Sequence, residues 1–363
     1  MENCNNYFIK NTNELCESVS VPLSCCNVYI SSITNLESLK YFNSISNLKL
    51  CALDPIELYC EDVIDTTNIK YLTNLKSLFI ENNDHIESID LSNLKNLQTL
   101  FISSCHLLKN ITGLNKLENL LDLVIYDVPN LDRTFYSNLV SFVSKKNFNK
   151  LILDINSYPM LSEEELKVLK TNNACFSEKI GFRDNYVYTF KMMEEFHKKI
   201  MNVYIDVHSK AKDLDSSLYR MYQYVKNINY DESSLNKRNE YVLEGGKFYK
   251  FNNRYKSTNS SYKALMKNKA VCEGSVNLLR YLYKLENIDL YPVFCEVNGL
   301  SHVAGKAFIN GSELYFDPEM DHRLGNNENY MISKKEFIAK HNLLFFRDNF
   351  DIIYTSKNKV REW

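Results

Sequence analysis

The chain has 363 residues, 45% of them hydrophobic and 24% charged, with only 9 glycines and 6 prolines. That length suits two folded domains, and the composition excludes a disordered, collagen-like or linker-rich chain. With 43 basic against 45 acidic side chains the net charge is −2, so no global basic field exists to hold nucleic acid or an anionic membrane.

The opening residues lack a basic stretch followed by an apolar one, so no secretory signal peptide is expected. No apolar run approaches the ~18 residues that span a bilayer, and no membrane span is expected. A cytoplasmic location follows, with a signal-less export route left open. The ten cysteines are scattered, without paired spacing for zinc, and no nucleotide-binding glycine loop occurs. No metal or nucleotide cofactor is implied.

The first half repeats itself. NLKSLFIEN, NLQTLFISS and NLLDLVIYD share one pattern, and Leu75, Leu78 and Ile80 recur as Leu97, Leu100 and Ile102, then as Leu120, Leu123 and Ile125. The steps are 22 and 23 residues. Weaker copies flank them at Val28/Ile30, Leu48/Leu50 and Leu151/Leu153. Such a step fits one short parallel strand per repeat, with two alternate apolar residues turned inward. One repeat cannot bury its own apolar side, so several must stack. The outward positions Ser77, Phe79, Glu81, Phe101 and Ser103 would line an open face. The pattern resembles the leucine-rich repeat of the internalin-like type, which implies an α/β solenoid that recognises a protein client, with Asn83 and Cys105 at the position where that family uses Asn or Cys to bond the turning backbone.

SEEELKVLK at 162–170 reads as a short helix, with Ser162 as N-cap and Glu165 completing a capping box. It is taken as part of the solenoid's cap, so the domains are expected at 1–180 and 181–363. DNYVYTFKM at 184–192 reads as a strand opening the second domain. Leu214, Leu218, Met221, Tyr222 and Val225 have helical spacing. A further helix, marked by Val276, Leu279, Leu282 and Leu285, begins at or just after Cys272. A cysteine there meets a positive helix end that favours thiolate over thiol, beside N–H groups able to hold an oxyanion.

LYPVFCEV, LSHVAGKAFI and SELYFDP are separated by Asn298-Gly299 and Asn310-Gly311, a strong hairpin signal. Two-residue turns set the register. Asp317 then lies opposite Ala304, diagonal to His302, and Cys295 lies directly opposite His302. His302 is expected to face away from the apolar layer formed by Val303, Ala307, Ile309, Leu314 and Phe316. A cysteine at a helix start with a paired histidine and aspartate is a nucleophile, base and orienter set.

These residues resemble the transglutaminase-like superfamily in its bacterial protease-type branch. The likeness is carried by Ser261-Tyr262-Lys263-Ala264-Leu265, by Lys269 to Gly274 around Cys272, by His302, and by Tyr315-Phe316-Asp317-Pro318 with Asp321. It covers roughly 185–330. It implies a papain-like α+β domain with Cys272 as nucleophile, His302 as base and Asp317 as orienter, and Tyr262 shaping the oxyanion pocket. Departures occur after each motif: Gly274-Ser275-Val276, His302-Val303-Ala304-Gly305 and Pro318-Glu319-Met320. The remaining histidines, His85, His106, His197, His208, His322 and His341, have no mutual metal-like spacing and are expected at the surface or at helix ends.

The expected protein is therefore an α/β leucine-rich-repeat solenoid followed by an α+β transglutaminase-like domain, which transfers acyl groups at amide bonds of a protein substrate. The competing expectation is an inactive scaffold in which the repeats alone bind a partner.

Overall fold

The computed structural model describes residues 6–9, 27–30, 45–51, 66–81, 83, 86–180, 184–231, 260–297, 300–341, 343–347 and 352–354. It is a mixed α/β structure that divides into two compact units, Met1–Ser177 and Glu178–Trp363. His85 and the turn residues Asn298 and Gly299 lie outside the described residues. No described helix is long and apolar enough to cross a membrane.

The first unit is organised by a parallel sheet. Its strands are β1 (Asn6–Ile9), β2 (Asn27–Ile30), β3 (Asn47–Cys51), β4 (Ser77–Glu81), β5 (Ser88–Asp90), β6 (Thr99–Ser103), β7 (Asn110–Thr112), β8 (Asp122–Tyr126), β9 (Lys150–Asp154) and the first half of β10 (Cys175–Ile180), whose residues from Glu178 onward belong to the second unit. The order is β1-β2-β3-β4-β6-β8-β9-β10, and β5 pairs with β7 in a second small sheet. Register is kept throughout: Val28, Leu48, Leu78, Leu100, Leu123 and Leu151 are successive partners, as are Ile30, Leu50, Ile80, Ile102, Ile125 and Leu153. Leu78, Ile80, Leu100, Ile102, Leu123 and Ile125 are fully buried. Each such side chain is worth roughly 1.5–3 kcal/mol over its exposed state, which only a neighbouring strand can supply.

Polar ladders join the bends. Asn96 donates to the Thr73 carbonyl and Asn119 to the Lys95 carbonyl, both at 2.9 Å. The Cys105 thiol reaches the Ser103 and Ile80 carbonyls, as its place at the turn suggested. On the outer side Lys49, Phe79, Phe101, Val124 and Ile152 form one cross-strand row. The rings of Phe79 and Phe101 lie 5.9 Å apart, and Phe101 meets Tyr126 edge-on at 6.0 Å. Phe79, Glu81 and Phe101 are half-buried, but Ser103 is buried and does not line an open face.

Helix α1 (Arg133–Val143) and helix α2 (Glu163–Thr171) complete this unit. The capping box is present: Ser162 accepts from the Glu165 N–H, and the Glu165 carboxylate accepts from the Ser162 N–H.

In the second unit β11 (Asp184–Tyr188) is shorter than expected. Thr189 caps the long helix α3 (Phe190–Ser209) by accepting from the Met192 N–H, so residues 190–192 are helical rather than extended. Helix α4 (Leu214–Lys226) buries Leu218, Met221, Tyr222 and Val225 as the apolar spacing predicts, whereas Leu214, its first residue, is exposed. Strand β12 (Asn229–Tyr230), helix α5 (Ser261–Lys267), strand β13 (Lys269–Ala270) and helix α6 (Cys272–Leu285) come next. An antiparallel sheet is built from β14 (Leu290–Val297), β15 (Leu300–Ile309), β16 (Ser312–Phe316), β17 (Leu343–Arg347) and β18 (Ile352–Tyr354), in the order β16-β15-β14-β17-β18. Helix α7 (Pro318–Leu324) and helix α8 (Lys334–His341) lie between β16 and β17.

Helix α6 is the hub of this unit. Every residue from Cys272 to Tyr283 is buried, and the helix packs on β14, β15, α4 and α5. Tyr281 meets Phe196 edge-on at 5.0 Å, and Tyr283 meets Phe316 at 5.5 Å.

Candidate active site

Cys272 is the first residue of α6, where sequence reading put it. Asn268 ends α5 in the left-handed region at φ 51°, and Lys269 and Ala270 then pair with Asn229 and Tyr230. The Asp231 N–H donates to the Ala270 carbonyl at 2.9 Å. This two-residue ladder fixes the chain just before the cysteine. Val271, the N-cap, has no side-chain oxygen for the first-turn N–H groups, so no side chain caps the helix start at Cys272.

The hairpin delivers the histidine and the aspartate. Asn310 and Gly311 both have positive φ, 52° and 77°, as a two-residue primed turn requires. Ile309 pairs with Ser312 and Gly305 with Phe316. Asp317 then leaves the strand and caps α7, its Oδ1 accepting from the Met320 N–H at 2.9 Å. Its own N–H donates to the Asn329 carbonyl at 2.9 Å. His302 Nε2 lies 2.6 Å from Asp317 Oδ2. Cys295 is the direct partner of His302, as the register required.

His302 is 5% exposed and Asp317 wholly buried. Burial alone would favour the neutral imidazole, but the charge and hydrogen bond of Asp317, and then the nearby Cys272, outweigh it and hold His302 well above the usual histidine range. Burial likewise opposes the Asp317 charge, and His302 and then His341 overcome it, holding the carboxyl well below its ordinary value. Because Nε2 is committed to Asp317, the nitrogen left for the thiol is Nδ1. Glu319 Oε2 also lies 3.7 Å from Nδ1, too far for a hydrogen bond, and is held by Arg323.

The face carrying His302 is not open. Val293, Cys295, Ala304, Tyr315, Ile332 and Phe337 form a second apolar cluster there. Burial pushes the Cys295 thiol up to about 12, with nearby Asp317 and Cys272 adding to the effect. Cys295 therefore packs as a thiol behind the imidazole.

Tyr262 packs its ring against Tyr186, Tyr188 and Phe196. Its backbone N–H donates to the Tyr188 hydroxyl at 3.1 Å.

Three further residues, His341, His106 and Glu178, have partners that no sequence pattern shows. His341 is 2% exposed, and its Nε2 lies 2.8 Å from Asp317 Oδ2. It is neither a surface nor a simple end-of-helix histidine. His106 is also buried, 3.4 Å from the Asp127 carboxylate in the first unit. The donor atoms of His302, Asp317 and His341 lie within 4.8 Å of one another. They are joined by two direct hydrogen bonds, and an ion could enter only by breaking both.

The other residue is Glu178. Its buried Oε1 accepts from the Tyr188 hydroxyl and, at 3.0 Å, from the Ser261 N–H at the head of α5. Its Oε2 is buried without a partner. Burial raises this carboxyl to about 8, against the hydrogen bonds from Tyr188 and Ser261 and with the charge of Glu273 adding to it. Below the ordinary value of 4.5 the folded and unfolded states both hold the proton. Between 4.5 and about 8 only the folded state keeps it, so folding becomes steadily costlier with rising pH, by on the order of a few kcal/mol in all. Glu178→Gln cannot ionise. Its stability relative to the wild type should climb from about pH 5 to about pH 8 in urea unfolding. An unchanging difference would contradict the assignment of a protonated Glu178.

A scan against known protein families returns no match, and no curated protein matches either. Among solved structures the chain is similar to one described as the crystal structure of a TGase. The identity is 15% and the TM-score 0.27, over 44% of this chain and 48% of that one. The chain thus spans about half the length of that protein. At that score the likeness carries no weight, and the chemistry has to come from the residues themselves.

Proposed function

We propose that the second unit is a transglutaminase-like cysteine enzyme that transfers acyl groups at amide bonds of a protein substrate. The observation that carries this reading is the buried Asp317–His302 pair, with Nδ1 not committed to Asp317, in the same unit as a cysteine at the head of α6. In the proposed reaction His302 takes the Cys272 thiol proton on Nδ1 and the thiolate attacks the amide carbonyl. The resulting oxyanion is held by first-turn N–H groups of α6, and His302 then gives its proton to the leaving amine. Asp317 keeps the ring oriented and stabilises the imidazolium. A thioester remains on Cys272. Water converts it to an acid, giving proteolysis or glutamine deamidation, and a lysine amine converts it to a crosslink. We favour water, in line with the bacterial branch that the motifs resemble.

The 22- and 23-residue steps and the unbroken Leu/Ile register support reading the first unit as a leucine-rich-repeat solenoid. Its half-buried outer row around Phe79 and Phe101 would meet the protein client.

Selective alkylation tests the enzyme reading. A low dose of iodoacetamide at about pH 6.5 should label Cys272 at least about tenfold faster than any of the other nine cysteines, and His302→Ala should abolish that preference. Peptide mapping reports the site. Equal labelling of all ten cysteines would leave the second unit as a scaffold and the repeats as the working part.

A further inference from the structure

Asp317 serves two histidines. Its Oδ2 accepts from His302 Nε2 at 2.6 Å and from His341 Nε2 at 2.8 Å, while Oδ1 caps α7. His341 is the last residue of α8, its ring centroid 4.1 Å from that of Phe337. Its Nδ1 lies 2.9 Å from the Phe337 carbonyl, which can only accept, so the ring is oriented by its own helix. The two imidazoles are 6.3 Å apart, tilted by 30°, and converge on one carboxylate oxygen.

We infer that His341 is a positioning residue of the proposed site: it anchors Asp317 and shares its carboxylate, and so sets how firmly His302 holds its proton. The inference rests on the proposed roles of Cys272, His302 and Asp317. Its direction follows from competition. An oxygen that serves two buried donors stabilises each less than an oxygen that serves one. With the second donor gone, the carboxylate acts on His302 alone and the imidazolium survives to higher pH. The other groups facing His302 are Cys272 from α6, Cys295 from β14 and the Arg323-paired Glu319 from α7. These stay the same in every variant.

Three substitutions divide the possibilities. His341→Phe keeps the ring's bulk and removes both of its hydrogen bonds. His341→Asn keeps an amide near the Phe337 carbonyl but is too short for Asp317. His341→Gln keeps a donor able to reach Asp317. The His302 imidazole is titrated by NMR from about pH 5 to about pH 11, and the rate of Cys272 alkylation by iodoacetamide is followed over the same range. His341→Phe and His341→Asn should raise the His302 midpoint by about one pH unit and carry the alkaline limb of the alkylation profile with it. His341→Gln should return at least half of that shift.

Should His341→Phe fail to fold, His341→Asn decides alone. A His302 midpoint within about 0.2 units of the wild type in the folded variant overturns the inference, whatever Cys272 does. A midpoint that moves as expected, in a protein whose Cys272 reacts no faster than its other cysteines, upholds the coupling of His341 to His302. That second result overturns the catalytic reading instead.

Discussion

Asp317→Ala should destabilise the second unit by about 3–5 kcal/mol, enough to unfold a domain of ordinary stability. Asp317 is wholly buried and accepts from His302, His341 and the Met320 N–H. Its removal leaves two buried imidazoles without their acceptor and uncaps α7, the cap alone being worth about 1 kcal/mol. Asp317→Asn keeps the shape and an acceptor oxygen but loses the charge. It should fold and lower the rate of acyl transfer by on the order of 10³–10⁴.

The pH dependence gives a second handle. Because the folded carboxyl is held below its ordinary 3.8, its stabilisation is present above that value and is lost as pH falls below it. His302, held well above 6.5, keeps the pair intact through neutral pH. The stability advantage of the wild type over Asp317→Asn should therefore narrow as pH falls from about 4 to about 2, the Glu178 contribution being common to both proteins. A difference that stays constant over that range would mean that the Asp317 charge contributes nothing to stability.

Cys272→Ala and His302→Ala should each lower the rate by about 10⁴–10⁶, and the double variant should be little worse than either alone. The reason is shared chemistry: without the thiol the base has no proton to move, and without the base the thiol attacks poorly. Ammonia release or peptide cleavage, followed on a glutamine-containing protein, measures it. A double variant whose loss equals the product of the single losses would argue that the two residues act independently. Full activity in Cys272→Ala would remove Cys272 from the mechanism altogether.

Much of this site was legible because its geometry is local. The Asn310-Gly311 turn counts residues back from Ile309 and Ser312 and so brings Asp317 beside His302, and a second two-residue turn expected at Asn298-Gly299 sets Cys295 opposite His302. The helix start at Cys272 and the capping box of Ser162 and Glu165 were equally readable. Thr189 was not read as a helix cap. The run of Tyr and Phe residues around it favours a strand, and that local preference gave way to the tertiary packing of Phe190, Met193, Phe196 and Ile200 along α3.

Periodicity and turn chemistry by themselves determined the Leu/Ile ladder, the hairpin register and the placing of Cys272, His302 and Asp317. Those signals report which face a residue shares with its near neighbours in the chain. Only the tertiary structure brought His341 to Asp317 across 24 residues, Glu178 to the Ser261 N–H across 83, and a second apolar cluster over the face that carries His302. A single polar side chain that meets its partner from a distant element leaves no period and no spacing to read. Its place is set by how helices and sheet pack, and that is decided by the whole apolar core at once.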